Sequence, residues 1–468
     1  LTTAYELKKA GVQVQVLESE NRVGGRIRAA NGLFGSDGLV INAGAELVDS
    51  NHQEMINLVR ELDVDLLGRS LPAGMTDVSY FFDGRVQGSF DFTRDLLSGN
   101  SRAIARLQQD REKLINARAA QTGGPEGITS PERHLDRMSA AAYLDSIGVD
   151  IKLRRYFEAA MQSELGRSLD EITSLLLLEY FKVSATAVDF LPDNDEAFRI
   201  KGGSAVVIQG LEQRLQDSVQ KGCKVTEIHS EHINGPYTLV VQTPRGQQVM
   251  TTQHLVLALP FNALQSVKID VPGLPASVTE AIQDTQYATN TKLTFFFERR
   301  IWNEMNHSGS VQGELAGVGR NGALGFQLWD SSQGQPGAHG ALNFYIGEII
   351  GAEDREKVVR AAMEALEKLF PGITATKRGH RFFSWRHSYS GAARPGERTR
   401  VLIDPRPTGN IHWVGEQFGG DSQGYMNGAV LSARRASRAI VAHASSCSAM
   451  LRSELSRLQS PVGRSRQP

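Results

Sequence analysis

Four groups of residues in this chain have types and spacings that could do chemistry. The run Val12–Glu18 (VQVQVLE) alternates apolar and polar residues like a strand and ends in an acid, and Arg22-Val23-Gly24-Gly25-Arg26 follows at once. An acid at such a strand end can accept hydrogen bonds from a ribose, and paired glycines let backbone approach a ligand closely. A second group is Lys292, alone near the start of an apolar strand, Asn290–Trp302 (NTKLTFFFERRIW). Most lysines on strands are exposed and do nothing chemical, so the pattern alone assigns Lys292 no role. The third is Gly420-Asp421-Ser422-Gln423-Gly424, which fits the nucleophile elbow of an α/β-hydrolase. That chemistry needs an acid and then a histidine after the serine. Here only His443 follows, inside an arginine-rich helix, and no HGGG-like oxyanion segment precedes, so the hydrolase reading is rejected. The fourth is Gly317-Val318-Gly319-Arg320-Asn321-Gly322, a G-x-G-x-x-G whose Asn321-Gly322 is instead a hairpin-turn signal before the strand ALGFQLW.

LTTAYELKKA reads as a helix, with Leu1, Ala4 and Tyr5 on one stripe and Gly11 as its C′ residue. A helix feeding a strand that ends in Glu18 is the second half of a dinucleotide-binding βαβ unit. Its first half, a strand and a G-x-G-x-x-G loop, is expected upstream of Leu1. Leu39–Leu47 reads as a strand turning at Gly44, His52–Leu62 as a helix and Tyr80–Val86 as a hairpin about Asp83-Gly84. From about Ser101 to Ser184 the pattern is helical, broken at Gln121–Gly127. An N-cap is expected at Ser130 before Pro131, and a capping box at Ser168 and Glu171. Strands follow at Phe198–Gly203, Lys224–Ile228, Tyr237–Gln242, Thr251–Leu259, 287–297 and 323–347. Helices are expected at Ala205–Leu215 and Ala352–Phe370, and a polar, mobile tail after about Ser445.

The 468 residues suggest two or three domains, and 51 basic against 52 acidic residues argue against nucleic-acid binding. No apolar run is long enough to span a bilayer, which points away from a membrane. Two cysteines, Cys223 and Cys447, suit a reducing compartment, so a cytoplasmic location is expected.

VLESENRVGGRIRA resembles the FAD-binding signature of the flavin-dependent amine oxidase family, and the resemblance runs from Leu1 to about His443. FRIKGGS resembles the segment returning the chain to the FAD domain, and KVTEI the strand whose valine, here Val225, meets the adenine end of FAD. NIHWVGEQFGGDSQGYMNGA (Asn410–Ala429) resembles the last FAD motif. The resemblance implies an α/β fold in which a Rossmann-like FAD domain (1–70, 199–275 and 384–445) interleaves with a mixed-sheet and helical substrate domain (71–198 and 276–383), leaving 446–468 as the tail. It implies cofactor contacts at Glu18, Arg22, Gly24, Gly25, Arg26, Gly44, Ala45, Glu46, Val225, Trp385, Gly415, Glu416, Gly424, Tyr425, Met426 and Ala429. Glu416 would accept hydrogen bonds from cofactor hydroxyls, and Gly424 and Gly428 would clear space for a planar ring beside a helix N-terminus.

By the same resemblance Lys292 holds a water against flavin N5, and Trp385 and Tyr425 stand beside the ring. Tyr425 fits one ring of the family's two-ring amine cage, while the other position falls near Arg394, with Tyr389 and Trp385 as substitutes. Glu46, Tyr389, Arg394 and Tyr425 are therefore the expected substrate contacts, and Ala393, standing near where a linking cysteine is carried by monoamine oxidases, implies non-covalent FAD. The implied reaction takes hydride from a carbon bearing nitrogen and passes the electrons to oxygen as hydrogen peroxide. An L-amino-acid oxidase, a desaturase or porphyrinogen-type oxidase, and an inactive FAD-fold chain are the alternatives. The expected partners are a small amine or amino acid and molecular oxygen, with a homodimer left open and no metal.

Overall fold

The computed structural model describes residues 1–35, 38–120, 128–192, 194–397 and 406–458. Every residue of the strand Asn290–Phe297 is buried, so it is covered on both faces, but the faces differ in kind. Leu293, Phe295 and Phe297 join Leu342, Phe344 and Ile346 of Gly340–Ile346 and Leu324, Phe326 and Leu328 of Ala323–Asp330, and pack on Val358, Ala362 and Leu366 of the helix Arg355–Leu369. Each fully buried Leu or Phe there stabilises the fold by about 1.5–3 kcal/mol. The two-residue period sends Asn290, Lys292 and Thr294 to the opposite face. Across the ladder Lys292 lies opposite Tyr345, and Tyr345 opposite Gln327. An apolar face thus anchors the sheet, and a polar face is left to the site.

The sheet has seven strands in the order Lys377–Trp385, Asn290–Phe297, Gly340–Ile346, Ala323–Asp330, His307–Ala316, Thr76–Phe82 and Arg85–Gly88. All neighbours are antiparallel except His307–Ala316 with Thr76–Phe82. The helix Ile151–Leu165 lies against it, with the other helices between Ser101 and Tyr180 forming their own apolar core behind. The other half of the molecule holds the parallel pairs Val16–Glu18 with Val219–Lys221 and Leu255–Leu257 with Ile411–Trp413, together with a four-stranded sheet containing Lys224–His229. The helix Met426–Leu458 packs on Thr2–Lys9 and Gln53–Glu61. Arg434 fastens this junction, reaching Glu54 at 2.6 Å and Glu6 at 3.2 Å as well as Glu61. Among the described residues no helix is long and apolar enough to cross a membrane.

Several expected boundaries move. Val12–Gln15 stays outside the strand, because the parallel partner Val219–Lys221 meets only Val16–Glu18. Thr251–Leu259 breaks at Gln253-His254 into strands of two different sheets. The N-cap ahead of Pro131 is Thr129, not Ser130, because Thr129 and Glu132 bond reciprocally. Ser168 and Glu171 also bond to each other, but the helix opens at Ser174 under a Thr173 cap. The helix from Met426 runs on to Leu458, through the start of the expected mobile tail. The expected break at Gln121–Gly127 lies outside the described residues, as do 459–468. Gly317–Gly322 does form the turn between His307–Ala316 and Ala323–Asp330.

Candidate functional site

The Gly-Gly-Arg turn owes its shape to its residue types. Gly24 and Gly25 have φ of +105° and +52°, and a Cβ on Gly24 would lie 2.9 Å from Ile208 Cγ2. Around Gly25 nothing stands within 4 Å, so this part of the turn faces open space. Arg22 donates to Gly25 O at 2.8 Å, holding the turn from within. Gly44 is required for a different reason, since a Cβ there would stand 1.9 Å from Arg26 O. Ala45 N–H donates to that same carbonyl at 3.3 Å. Glu18 stands at the end of its strand with Oε1 accepting from Glu20 N–H at 2.8 Å. Leu17 and Val225 flank the same apolar cluster, which brings the two expected adenosine contacts into one neighbourhood.

Glu416 is buried and draws three distant segments together. Its Oε1 accepts from Arg26 Nη1 at 2.6 Å and from Ser390 N–H at 3.0 Å, and its Oε2 from Ser390 Oγ at 2.8 Å and Gly424 N–H at 3.0 Å. A carboxylate has about four acceptor positions, so protein donors fill them. Glu416 thereby fastens the Arg26 turn to Ser390 and Gly424. Gly415 allows this turn with φ of +141°. Gly424, at φ +91°, puts its open side 3.2 Å from the Tyr389 ring, whereas a Cβ on Gly428 would lie 2.2 Å from Ser422 O. Gly428 is thus a backbone packing contact and not clearance for a ring. Met426 and Ala429, both half-buried, lie in the first turn of the long helix, where N–H groups lack intrahelical acceptors.

Lys292 is buried on the polar face of the sheet. Its ammonium donates to Gly44 O and Glu46 Oε2 at 2.8 Å each and to Asn42 O at 3.1 Å. Glu46 Oε1 accepts from Trp329 Nε1 and Ser331 Oγ at 3.2 Å each and faces Arg199 Nη1 at 3.3 Å. Burial pushes the Glu46 carboxyl up, but Lys292 and Arg199 outweigh it and hold its pKa below the ordinary range. The cations that Glu46 meets are therefore the chain's own, where a substrate cation was expected. Burial lowers the Arg199 pKa, and among the described residues its guanidinium is ion-paired with Glu46 but makes no well-aligned hydrogen bond.

The ring over the Lys292 ammonium is that of Trp329, 5.3 Å away, and a separate aromatic group holds Tyr425. The Tyr425 ring sits 4.9 Å from that of His52, and Asn194 Nδ2 donates to its hydroxyl. Burial holds His52 neutral, with its pKa lowered to about 4. The Tyr389 hydroxyl lies 2.8 Å from Glu164 Oε1, and Trp385 Nε1 donates to Ala43 O at 2.7 Å. Tyr180, Tyr345, Tyr389 and Tyr425 are half-buried and form one cluster, close enough to act on one another's hydroxyls. Arg394 does not join them. It is exposed, with its N–H on Glu397 Oε2 at 2.9 Å, so the residue beside Tyr425 is Tyr389 and not Arg394.

The model of the family described as flavin containing amine oxidoreductase matches residues 1–441. The chain belongs to that family. Its cofactor is accordingly FAD, and the open Gly25 turn, the Gly424 backbone and the helix start at Met426 fit such a group. This oxidoreductase is 22% identical to the flavin-dependent L-tryptophan oxidase of Lentzea aerocolonigenes over 94% of this chain and 96% of that protein. It is also 22% identical to the flavin-containing amine oxidase A of Sus scrofa, over 94% of this chain and 82% of that one. In fold it matches cyclohexylamine oxidase from Brevibacterium oxydans IH-35A with a TM-score of 0.78 and 20% identity, covering 95% of this chain and 96% of the other. Putrescine oxidase bound to putrescine matches at 0.74 and 19%, over 94% and 96%.

Sequence reasoning about this oxidoreductase missed Glu164, Arg199, Gln327, Trp329 and Tyr345. The last three were within reach, because they occupy the alternate positions of strands whose other positions are Phe and Leu. Glu164 and Arg199 carried no local signal.

Proposed function

We propose that this chain is an FAD-dependent oxidase of a small amine, releasing an imine and hydrogen peroxide. The observation that carries this is Lys292, buried opposite Tyr345 on the polar face of the sheet and held on Gly44 O and Glu46 at 2.8 Å. Bound FAD supplies a two-electron acceptor for hydride from the carbon bearing nitrogen, and oxygen is its reoxidant. Glu18 and Val225 would hold the adenosine end, the Arg22–Arg26 turn the middle, and Gly424–Ala429 the flavin end. Tyr425 and Tyr389 would orient the amine, and their dry surroundings favour its uncharged form. Lys292 would position a water by giving over to it one of its three N–H donors, which otherwise meet Asn42 O, Gly44 O and Glu46 Oε2.

FAD is taken to be non-covalent, since Ala392 and Ala393 stand at the linking place and Cys223 is buried in another cluster. The discontinuous division into FAD-binding (1–70, 199–275, 384–445) and substrate-binding (71–198, 276–383) parts belongs to the same reading. A second reading, an L-amino-acid oxidase, is favoured by Arg199, whose buried guanidinium has N–H groups without acceptors that a substrate carboxylate could fill.

The test is anaerobic mixing of the FAD-loaded protein with amines and amino acids, followed at the flavin absorbance, then air and a peroxide assay. Bleaching by amines with peroxide on reoxidation is expected, and acid precipitation should release free FAD. Failure of every amine and amino acid to bleach the flavin overturns the proposal. An unchanged rate in Lys292→Met would favour the desaturase-type alternative.

A further inference from the structure

The side of the seven-stranded sheet away from Lys292 holds a recess that the proposed reaction does not use. His380 and Phe382 of the outer strand Lys377–Trp385 stand opposite Phe295 and Leu293 in the register, so they share the face covered by the helix Arg355–Leu369. Between that helix and the outer strand lies a cleft of about 650 Å³, lined by Arg355, Val359 and Arg360 of the helix and His380, Arg381 and Phe382 of the strand. Its floor is apolar, since Val359 and Phe382 pack on the cluster beneath the helix, and the His380 ring lies 6.0 Å from that of Phe382. Arg381 completes the rim from the free edge of the outer strand.

All three arginines are exposed, and among the described residues none of them has an ion pair or a side-chain hydrogen bond. Glu356, the one acid among the lining residues, stands one helical turn before Arg360, a spacing at which the two can pair, yet they do not. Arg355 opens the helix, where the dipole disfavours a cation, and its guanidinium lies 5.1 Å from the centre of the Phe382 ring. Held over that ring, the guanidinium keeps its N–H donors for a ligand. Elsewhere arginine meets carboxylate, as Arg434 does with three of them. Here three arginines converge on one cleft without an internal acceptor.

We propose that this cleft binds a small organic phosphate monoester, with its phosphate on Arg355 and Arg360 and its organic part on Val359, His380 and Phe382. Charge points to that class. Three arginines against one glutamate leave about +2 around the cleft, and a phosphate monoester carries about −1.5 to −2 near neutral pH, with oxygens that suit forked guanidinium donors. A single carboxylate brings only half of that charge. Size points the same way, because 650 Å³ falls within the range of about 300–1,000 Å³ usual for small organic ligands and far exceeds a bare phosphate ion. The site does not depend on the amine-oxidase reading, since it stands on the other face of the sheet.

The experiment is equilibrium dialysis of the FAD-loaded protein against phenyl phosphate, inorganic phosphate and benzoate at low salt. Phenyl phosphate should bind one to one and about tenfold tighter than either of the others, because only it offers both the dianion and an apolar ring. Arg360→Gln should weaken it by ~10-fold. Glu356→Gln should tighten it by about two- to fivefold, a gain that loss of folding cannot produce. Equal binding of inorganic phosphate or of benzoate overturns the proposal, as does the absence of binding by all three. Unchanged affinity in both variants also overturns it, because the phosphate is then held elsewhere. Co-sedimentation with vesicles containing phosphatidic acid, without binding of phenyl phosphate, overturns it in favour of a membrane surface. Whether amines bleach the flavin is decided separately, so failure of that reading leaves this result untouched.

Discussion

Replacing Glu46 by Gln keeps the side chain's shape and removes its charge, which makes it a sharp perturbation of the buried cluster. Side-chain exposure is 3% for Glu46, 6% for Lys292 and 5% for Arg199, so none of the three charges is relieved by water. At an effective dielectric near 20, unit charges at the 2.8 and 3.3 Å separations attract by about 6 and 5 kcal/mol respectively. Most of that offsets desolvation, but removing one partner exposes the penalty, and Glu46→Gln leaves two buried cations without their anion. The expected loss is about 3–5 kcal/mol of unfolding free energy. Lys292→Met leaves the Glu46–Arg199 pair intact and should cost less, about 1–3 kcal/mol. In the double variant the repulsion between Lys292 and Arg199 is gone, so it should be more stable than the sum of the singles by about 1–3 kcal/mol.

Urea unfolding followed by tryptophan fluorescence, with and without FAD, measures all three. The pH dependence adds a signature. The folded pKa of Glu46 lies below its ordinary value of 4.5, so its contribution is fully present above that value and is lost as pH falls through the lower folded one. Glu46→Gln should flatten that acid limb. A Glu46→Gln protein within about 1 kcal/mol of wild type, or a strictly additive double variant, would refute the account of the cluster.

Gly44→Ala drives a Cβ to 1.9 Å from Arg26 O and must displace the Gly-Gly-Arg turn, so the flavin-to-protein absorbance ratio should fall while far-ultraviolet circular dichroism is retained. Gly428→Ala meets Ser422 O at 2.2 Å and should loosen the start of the long helix, lowering the melting temperature of FAD-free and FAD-loaded protein alike. Arg434→Ala abandons three carboxylates at the junction of three helices. It should cost about 2–3 kcal/mol in urea unfolding, with Arg434→Lys recovering only part because an ammonium cannot reproduce the forked contacts.

The elements that could be read in advance were those whose periodicity matches their burial. Ala205–Leu215, which buries one stripe, and the hairpin at Asp83-Gly84 are such cases. Of the site, the glycines, Glu416, Lys292 and Tyr425 were legible as motifs. What each side chain meets was not. Glu416 turned inward to Arg26 and Ser390, and Glu46 to Lys292 and Arg199, because these partners lie hundreds of residues away and only the fold decides which donor arrives first. Arg394 shows the converse error, since a position in a motif gave it a place that the chain's path leaves exposed. Strand ends were misplaced wherever a partner strand was shorter than the pattern, as at Val12–Gln15.

The Glu416 staple has a consequence for how the protein is made. It joins the turn at Arg26 to Ser390 and Gly424, so the Arg26 donor waits for an acceptor synthesised 390 residues later. The early Gly-Gly-Arg turn therefore passes through translation without the carboxylate that fixes it, while the helical segment between Ser101 and Tyr180 can bury its own core on the way. The turn takes its final form only after Glu416 has been synthesised, so any cofactor contact that depends on that turn forms late in folding.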